Sequence, residues 1–413
     1  MQIALFSECY LPVTNGVVTS LVTLRETLRS WGHTVYIIAP GIPQPDDDAD
    51  VFRLPELPFP RHPYHFARPF PRLNIDFACL QAQIVHCHHP FTVGSLGAKM
   101  AQKYHLPMIY TAHSLYDSMM KSSKSSLVRT MGEQSMIGMI RRFCSKADTV
   151  IVPSRYTREA LRADGVEARF AVVPSGIVPP VLRPEARAET RQALGLAPEA
   201  PLLLCVGRLG PEKRVDILLR AVAILRKRRL PPPLDDFRLA LVGDGQTRKE
   251  LEMLARDLEL GNRVVFVGAQ PHTTIGDWYA AGDIFVMSSP VETQGLVLVE
   301  AMAAGLPCIA ADYGGAREVV VSHETGLCVS LTAESFADAI EWLLRNPDNR
   351  RRFAENGKLR AQEYSPETMA QGVLDVYEMA LRSPSPLVSV PNALKFPPVR
   401  PQRRRPQNAR RRL

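Results

Sequence analysis

Several features that mark special classes of protein are missing from this sequence. No uninterrupted apolar run approaches the roughly 18 residues of a membrane-spanning helix, which argues against an integral membrane protein. The seven cysteines include no Cys-x-x-Cys pair and sit mostly in apolar runs such as Leu203–Val206, so they indicate a reducing compartment and predict no disulfide framework. The opening Met1–Glu8 lacks the basic start of a signal peptide and is typical of a first strand. We therefore expect a cytoplasmic protein.

Acidic residues are missing from residues 383–413, which are rich in Pro, Ser, Gln and Arg. The eight Lys and Arg residues of this tail match the whole formal net charge of +8, so the rest of the chain is near neutral. A near-neutral body does not predict specific nucleic-acid binding. We expect a disordered tail that binds anionic lipid, with nucleic-acid binding or a nonspecific soluble tail as alternatives.

The remainder of the chain alternates short apolar runs with helical patterns, and 413 residues suffice for two domains. This alternation predicts parallel sheets with crossover helices, that is, an α/β protein of two Rossmann-like, doubly wound domains facing across a cleft. The pattern breaks near Pro174–Pro180, and Pro184–Pro201 is interpreted as a linker. The predicted parts are an N-terminal domain over 1–180, a C-terminal domain over 181–365, a helix over 366–382 that packs back toward the first domain, and the tail over 383–413.

Charged residues are concentrated at two turns of the second half. Arg208 and Lys213 follow an apolar run at a strand-to-helix turn, where they can neutralise a diphosphate. Glu292 and Glu300 bracket Gly295, where we predict the start of a short helix whose backbone N–H groups suit a phosphate or a sugar. The alternative is a set of surface cations, a capping carboxylate and a solvated carboxylate. A site that holds both a phosphate and a sugar needs such backbone N–H groups beside a carboxylate.

With these motifs the chain resembles the retaining glycosyltransferases of family 4, which have the GT-B fold. The resemblance covers about residues 1–382. It rests on Phe6–Ser20, Ile84–Gly94, Tyr110–Tyr116, Gly207–Lys213, Val242–Gly245, Phe266–Gly268 and Glu292–Gly305.

The resemblance implies that the second half binds a nucleotide-sugar donor, a UDP- or GDP-hexose. Arg208 and Lys213 would hold the diphosphate. Glu292 would bind hydroxyls of the transferred sugar, and Glu300 would accept a hydrogen bond from the ribose. The remaining donor contacts would be the backbone at Gly16, the base-binding loop at Val267 and Gly268, and the N–H groups near Gly295, Leu296 and Val297.

Catalysis would then depend on His113, Glu292, Arg208 and Lys213, with His113 contacting a hydroxyl of the reacting sugar. Retaining glycoside hydrolases hold two carboxyls about 5 Å apart. Here Glu300 is expected on a helix and Glu292 in the loop before it, so we interpret both as donor ligands. We predict attack on the same face as the leaving group, with the departing diphosphate as base.

We expect no metal and no other cofactor. Asp46–Asp50 contains an Asp-x-Asp pattern, but its proline-rich surroundings favour a solvated loop. His86–His89 resembles a metal cluster, yet adjacent side chains of a strand point to opposite faces.

The features that bear on the acceptor lie in the first half of the chain. Two basic stretches with apolar neighbours, 57–72 and 119–146, lie in the first half and suit an anionic membrane surface, although a proline-rich loop and an amphipathic core helix explain them equally simply. The pattern is most similar to transferases that glycosylate diacylglycerol or phosphatidylinositol. We therefore expect a peripheral enzyme at the inner face of the membrane. Alternatives are a soluble acceptor or glycan, and a nucleotide-sugar-binding protein without turnover.

Overall fold

Two parallel sheets form the framework of the protein. The computed structural model describes residues 1–13, 15–57, 66–68, 71–115, 126–271 and 273–382. The first sheet has seven strands and the second has six. The strands are β1 (Gln2–Phe6), β2 (Thr34–Pro40), β3 (Val51–Leu54), β4 (Glu56–Leu57), β5 (Phe66–Ala67), β6 (Ile84–Cys87), β7 (Met108–Thr111), β8 (Thr149–Val152), β9 (Phe170–Val172), β10 (Leu202–Val206), β11 (Arg238–Val242), β12 (Val264–Gly268), β13 (Ile284–Met287), β14 (Cys308–Ala311) and β15 (Gly326–Val329).

The helices lie between and after these strands. They are α1 (Gly16–Ser30), α2 (Thr92–Tyr104), α3 (Ser126–Cys144), α4 (Arg155–Ala163), α5 (Ala186–Ala193), α6 (Val215–Lys227), α7 (Arg248–Asp257), α8 (Ile275–Ala281), α9 (Leu296–Ala303), α10 (Ala316–Val319), α11 (Ala333–Arg345), α12 (Pro347–Ala361) and α13 (Pro366–Arg382). No helix among the described residues is long and apolar enough to cross a membrane.

Each sheet has one point where the strand order reverses. The first sheet runs β3-β2-β1-β6-β7-β8-β9, so it reverses between β1 and β6; the second runs β12-β11-β10-β13-β14-β15 and reverses between β10 and β13. Loops leaving the carboxyl ends of the two central strands diverge at such a point and leave a crevice for a ligand. The predicted α/β class with two doubly wound sheets is confirmed.

The central strands are buried on both faces, which explains their uninterrupted apolar runs. In β1, Ile3 and Leu5 pack into one cluster while Ala4 and Phe6 pack into another. Helix α13 joins the first of these clusters through side chains such as Tyr377. The last described helix therefore packs against the sheet formed by the start of the chain.

The linker predicted over residues 184–201 is wrong in part, because α5 occupies its first half. Arg191 of this helix is only 3% exposed. Its guanidinium donates to Asp283 at 3.1 Å and to backbone carbonyls, including that of Pro198 at 2.9 Å. A segment rich in arginine and proline is typical of a solvated linker. Here Asp283, which pairs with the buried Arg191, lies far along the chain, so the local sequence does not reveal the burial. For the domains we retain the limits 1–180 and 181–365 as a proposal; residues 383–413 lie outside the described part.

Candidate functional site

Lys213 and Glu292 meet at the crevice of the second sheet. Lys213 lies in the loop after β10 and Glu292 in the loop after β13, 79 positions apart in sequence. The Lys213 ammonium Nζ is 2.5 Å from Glu292 Oε1, and the two side chains are 30% and 14% exposed. The hydroxyl of Ser288 reinforces the junction by donating to the Lys213 carbonyl at 2.9 Å. The sequence predicted that Lys213 holds the diphosphate and Glu292 the sugar of the same donor molecule. In the structure these two side chains are in direct contact.

Arg208 lies in the same loop as Lys213 but has a different partner. Its guanidinium is 2.6 Å from Glu212 Oε1, and the Arg208 side chain is 59% exposed. An exposed ion pair of this kind contributes little net stability. Arg208 can therefore exchange Glu212 for a phosphate at small cost.

Glycines let the strand-end loops of the second sheet approach each other closely. A Cβ atom on Gly243, whose φ is +146°, would lie 1.9 Å from the carbonyl oxygen of Gly207. The Gly243 N–H donates to the Gly268 carbonyl at 2.9 Å. Val267 and Gly268, predicted to meet the base, therefore lie at the same sheet edge as Lys213, but on the outer strand β12.

The amino end of α9 faces the first domain. Gly295 precedes the helix with a φ of +91°, which a side chain would strain, and Leu296 and Val297 form its first turn. A Cβ atom on Gly16, the first residue of α1, would lie 3.7 Å from Leu296 Cδ1. Gly16 therefore lies beside Leu296 in the first turn of α9, across the cleft.

Glu300 lies further along α9 and is held by a tyrosine. The buried Tyr279 hydroxyl donates to Glu300 Oε2 at 2.6 Å. Burial, together with the Glu300 charge, raises the pKa of Tyr279 well above its usual value, so this hydroxyl remains a donor. Glu300 is partly exposed and anchored by a different partner from Glu292.

His113 follows β7 of the first domain and touches the loop that carries Glu292. Its carbonyl oxygen accepts a hydrogen bond from the Thr293 hydroxyl at 3.0 Å. Burial lowers the pKa of the His113 ring to about 3, so the ring is neutral at pH 7. Predicted residues of the two halves therefore lie close together, because Thr293 follows Glu292 directly in the chain.

Two further side chains, those of Gln294 and Ser154, join the domains here, and sequence reasoning missed them. Gln294, 3% exposed, accepts from the Ser175 N–H at 2.8 Å and donates to the Ser175 carbonyl at 2.9 Å. The Ser154 hydroxyl donates to the Thr293 carbonyl at 2.5 Å. Ser154 also caps α4, a role that the spacing of Ser154 and Thr157 could have indicated; no local pattern indicates the contact between domains.

Glu318 of α10 was also missed. Its carboxylate accepts from the backbone N–H groups of Arg155 at 2.9 Å and Tyr156 at 2.7 Å, at the amino end of α4. A carboxylate at a helix amino end is favoured by the helix dipole and by the unpaired N–H groups. Here the cap comes from the other domain, so it also holds the two domains together.

The two alternative metal motifs are engaged in other ways. Asp47 pairs with Arg53 at 2.6 Å, and Asp48 pairs with Arg25 at 2.8 Å, so the predicted solvated loop is tied down by arginines. His86 of the histidine motif bonds Tyr377 and Thr111, each at 2.7 Å. Within the described ranges no three His, Cys, Asp or Glu side chains are grouped as metal ligands.

Family models and relatives agree with this geometry. Residues 14–179 match the model for glycosyltransferase family 4, and residues 186–360 match that for glycosyl transferases group 1. An alpha-monoglucosyldiacylglycerol synthase of Streptococcus pneumoniae is 31% identical over 75% of this chain and 71% of its own length. The chain belongs to the group 1 glycosyltransferases. Another alpha-monoglucosyldiacylglycerol synthase, from Acholeplasma laidlawii, is 28% identical to this glycosyltransferase over 91% of this chain and 96% of its own length. A D-inositol 3-phosphate glycosyltransferase of Frankia alni is 33% identical over 72% and 74%, respectively.

Solved structures match the fold of this glycosyltransferase. A sucrose-phosphate synthase from Thermosynechococcus elongatus aligns with a TM-score of 0.71 and 24% identity, covering 92% of this chain and 99% of the other. Anabaena Alr3699/HepE, solved with UDP and glucose, aligns with a TM-score of 0.71 and 21% identity, covering 92% and 100%. The predicted family and the GT-B fold are thus confirmed.

Proposed function

We propose that this glycosyltransferase moves a hexosyl group from a nucleotide sugar, a UDP- or GDP-hexose, to a membrane lipid of the diacylglycerol or phosphatidylinositol type. One observation carries the donor half of the proposal. Lys213 and Glu292 are in contact at the crevice of the second sheet, and Thr293 links the same loop to His113. A cation for phosphate and a carboxylate for sugar hydroxyls are thereby in contact, and the backbone of His113 lies beside the next residue of the same loop.

On the donor side, Arg208 and Lys213 hold the diphosphate and exchange their present carboxylate partners for phosphate oxygens. Glu292, released from Lys213, accepts hydrogen bonds from hydroxyls of the transferred sugar. Glu300 accepts from the ribose. The remaining donor contacts are the backbone at Gly16, the loop at Val267 and Gly268, and the N–H groups near Gly295, Leu296 and Val297.

Transfer occurs with retention in this proposal. The acceptor oxygen bonds to the anomeric carbon on the face from which the diphosphate leaves, and the acceptor proton passes to the departing phosphate oxygen. Arg208 and Lys213 stabilise the charge that develops there. Glu292 and Glu300 have separate anchors in Lys213 and Tyr279, which favours donor binding over an acid–nucleophile pair. No metal ion takes part in this scheme.

For the acceptor, the support is the similarity to the two alpha-monoglucosyldiacylglycerol synthases. Helix α3 adds charge at its carboxyl end. Arg141 and Arg142 in its last turn are exposed, whereas Ile140 and Phe143 pack in the core of the first domain. The core therefore accounts for the apolar character of Ile140 and Phe143, and the two arginines remain available to an anionic surface. We propose a cytoplasmic enzyme that binds the inner face of the membrane peripherally through such charges; residues 58–65 and 116–125 lie outside the described residues.

The test supplies radiolabelled UDP-glucose or GDP-mannose to the full chain with vesicles containing diacylglycerol, vesicles containing phosphatidylinositol, or no vesicles. We expect labelled lipid, formed equally in the presence of EDTA and absent with Lys213→Ala. Transfer to inositol phosphate or another soluble acceptor, without labelled lipid, would contradict the lipid acceptor. Tight UDP binding with neither transfer nor hydrolysis would identify a binding protein instead.

A further inference from the structure

His88 lies behind His113 and is hydrogen-bonded to it. The His88 Nδ1 atom is 2.9 Å from His113 Nε2, and the two ring planes are inclined by only 17° with centroids 5.2 Å apart. Rings this close to coplanar place an N–H and a nitrogen lone pair in line, so the contact is an in-plane hydrogen bond. His88 is 2% exposed, whereas His113 is partly exposed. The bond therefore joins a buried residue to a partly exposed one.

Both rings are neutral, so each carries a single N–H. Burial lowers the pKa of His113 to about 3 and lowers that of His88 well below its usual value. Neighbouring groups do not return a charge to these two rings. The Lys213 ammonium is paired with the Glu292 carboxylate, and the rings in contact with His88 are themselves histidines. One of the two rings must donate to the other across the 2.9 Å contact.

The second nitrogen of His88 decides which ring donates. His88 Nε2 is buried and has no hydrogen-bond partner among the described residues. The neighbouring His86 ring cannot serve, because its two nitrogens are taken by Tyr377 and Thr111. A buried N–H without a partner is rarer in proteins than a buried acceptor without one. Nε2 is therefore the bare acceptor, the proton is on Nδ1, and His88 donates to His113.

We propose that His88 is a positioning residue that fixes the His113 ring in its Nδ1–H form, so that His113 presents a hydrogen-bond donor to an oxygen of the donor sugar. The inference rests on the role proposed above for His113. Free neutral histidine favours the opposite, Nε2–H form, so the His88 contact selects the less populated form. A ring in this form has no acceptor at Nδ1, so a sugar hydroxyl makes this contact by accepting from the Nδ1–H group.

The test combines spectroscopy with kinetics on the full chain labelled with ¹⁵N-histidine. Ring ¹⁵N shifts report the protonated nitrogen, and His113→Gln assigns the His113 signals. We expect Nδ1–H in the unmodified protein and a shift toward Nε2–H in His88→Leu. In that variant kcat/KM for labelled UDP-glucose should fall by about ten- to a hundredfold, as when a group that orients a functional histidine is lost. His88→Asn, whose amide nitrogen takes the place of Nδ1, should keep both properties, as should the exposed control His105→Asn.

Three results would overturn the inference: Nε2–H on His113 in the unmodified protein, an unchanged His113 ring in His88→Leu, or equal loss of activity in His88→Leu and His88→Asn. UDP affinity and thermal unfolding, measured on each variant, separate these results from misfolding. Full activity of His113→Ala would instead contradict the role given to His113 under the proposed function. The ring ¹⁵N shifts distinguish the two failures because they do not depend on turnover.

Discussion

Replacing Glu292 by Gln should separate nucleotide binding from glycosyl transfer. In the free protein Glu292 is paired with Lys213 at 2.5 Å, and the carboxylate is only 14% exposed. Diphosphate must displace this carboxylate, whereas the sugar needs it as an acceptor. Removing the negative charge therefore makes Lys213 more available to phosphate and at the same time weakens the sugar contact.

The two effects differ in sign and size. Breaking an exposed ion pair costs about 0.5–1 kcal/mol, and this pair is partly buried, so UDP should bind Glu292→Gln at least roughly two- to fivefold more tightly. A hydrogen bond to a charged group contributes roughly 1.5–3 kcal/mol, so kcat/KM should fall by roughly ten- to a hundredfold.

Calorimetric titration with UDP and GDP measures the first effect, and labelled transfer measures the second. Lys213→Met serves as the matched control, because it should weaken both nucleotide binding and transfer. In the double variant the tighter UDP binding of Glu292→Gln should vanish, since no cation remains to be freed. If Glu292→Gln weakened UDP binding as much as Lys213→Met does, the exchange of partners at this site would be wrong.

Two further predictions concern stability. Glu318→Gln weakens the cap on α4, so it should lower the free energy of unfolding by about 1 kcal/mol and speed hydrogen exchange at the Arg155 and Tyr156 amides. Glu324→Gln, at an exposed position, is the control. Equal exchange rates in the two variants would show that Glu318 does not cap this helix. Burial also lowers the pKa of His86 and His113 to about 3 and of His89 to about 4. The unfolded chain therefore binds protons below about pH 6.5 that the folded chain does not, so stability is complete above this pH and falls by up to about 1.4 kcal/mol per pH unit for each of these rings. Urea unfolding at pH 7.5, 6.5 and 5.5 measures this loss, and a flat profile would contradict the buried neutral rings.

Apolar periodicity predicted helices best where the residues that stabilise the helix are neighbours in the sequence. The bounds expected for the last helix, 366–382, agree with α13, because one face of this helix is apolar and packs in the core. Prediction failed at α5, where the buried Arg191 is satisfied by Asp283 and by backbone carbonyls. Hydropathy alone assigns such an arginine to solvent.

In the candidate site, too, residues marked by a local pattern were predicted, and residues defined by distant contacts were missed. Arg208, Lys213, Glu292 and Glu300 were selected from the charge and glycine content of their own loops. Thr293 and Glu318 were missed, although they join the domains, because nothing in their neighbouring residues distinguishes them from ordinary loop and helix positions. Their partners are 180 and about 160 residues away along the chain.

Apolar periodicity, turn residues and motifs are properties of neighbouring residues. They were therefore enough to predict two α/β domains, the charged turns at the strand ends and the resemblance to retaining glycosyltransferases. Which of these residues meet became known only from the fold. The pairing of Lys213 with Glu292, the contact of Thr293 with His113 and the contact between the His88 and His113 rings depend on how separate strands and loops pack. Distances between residues far apart in the chain follow from that packing, and no local pattern encodes them.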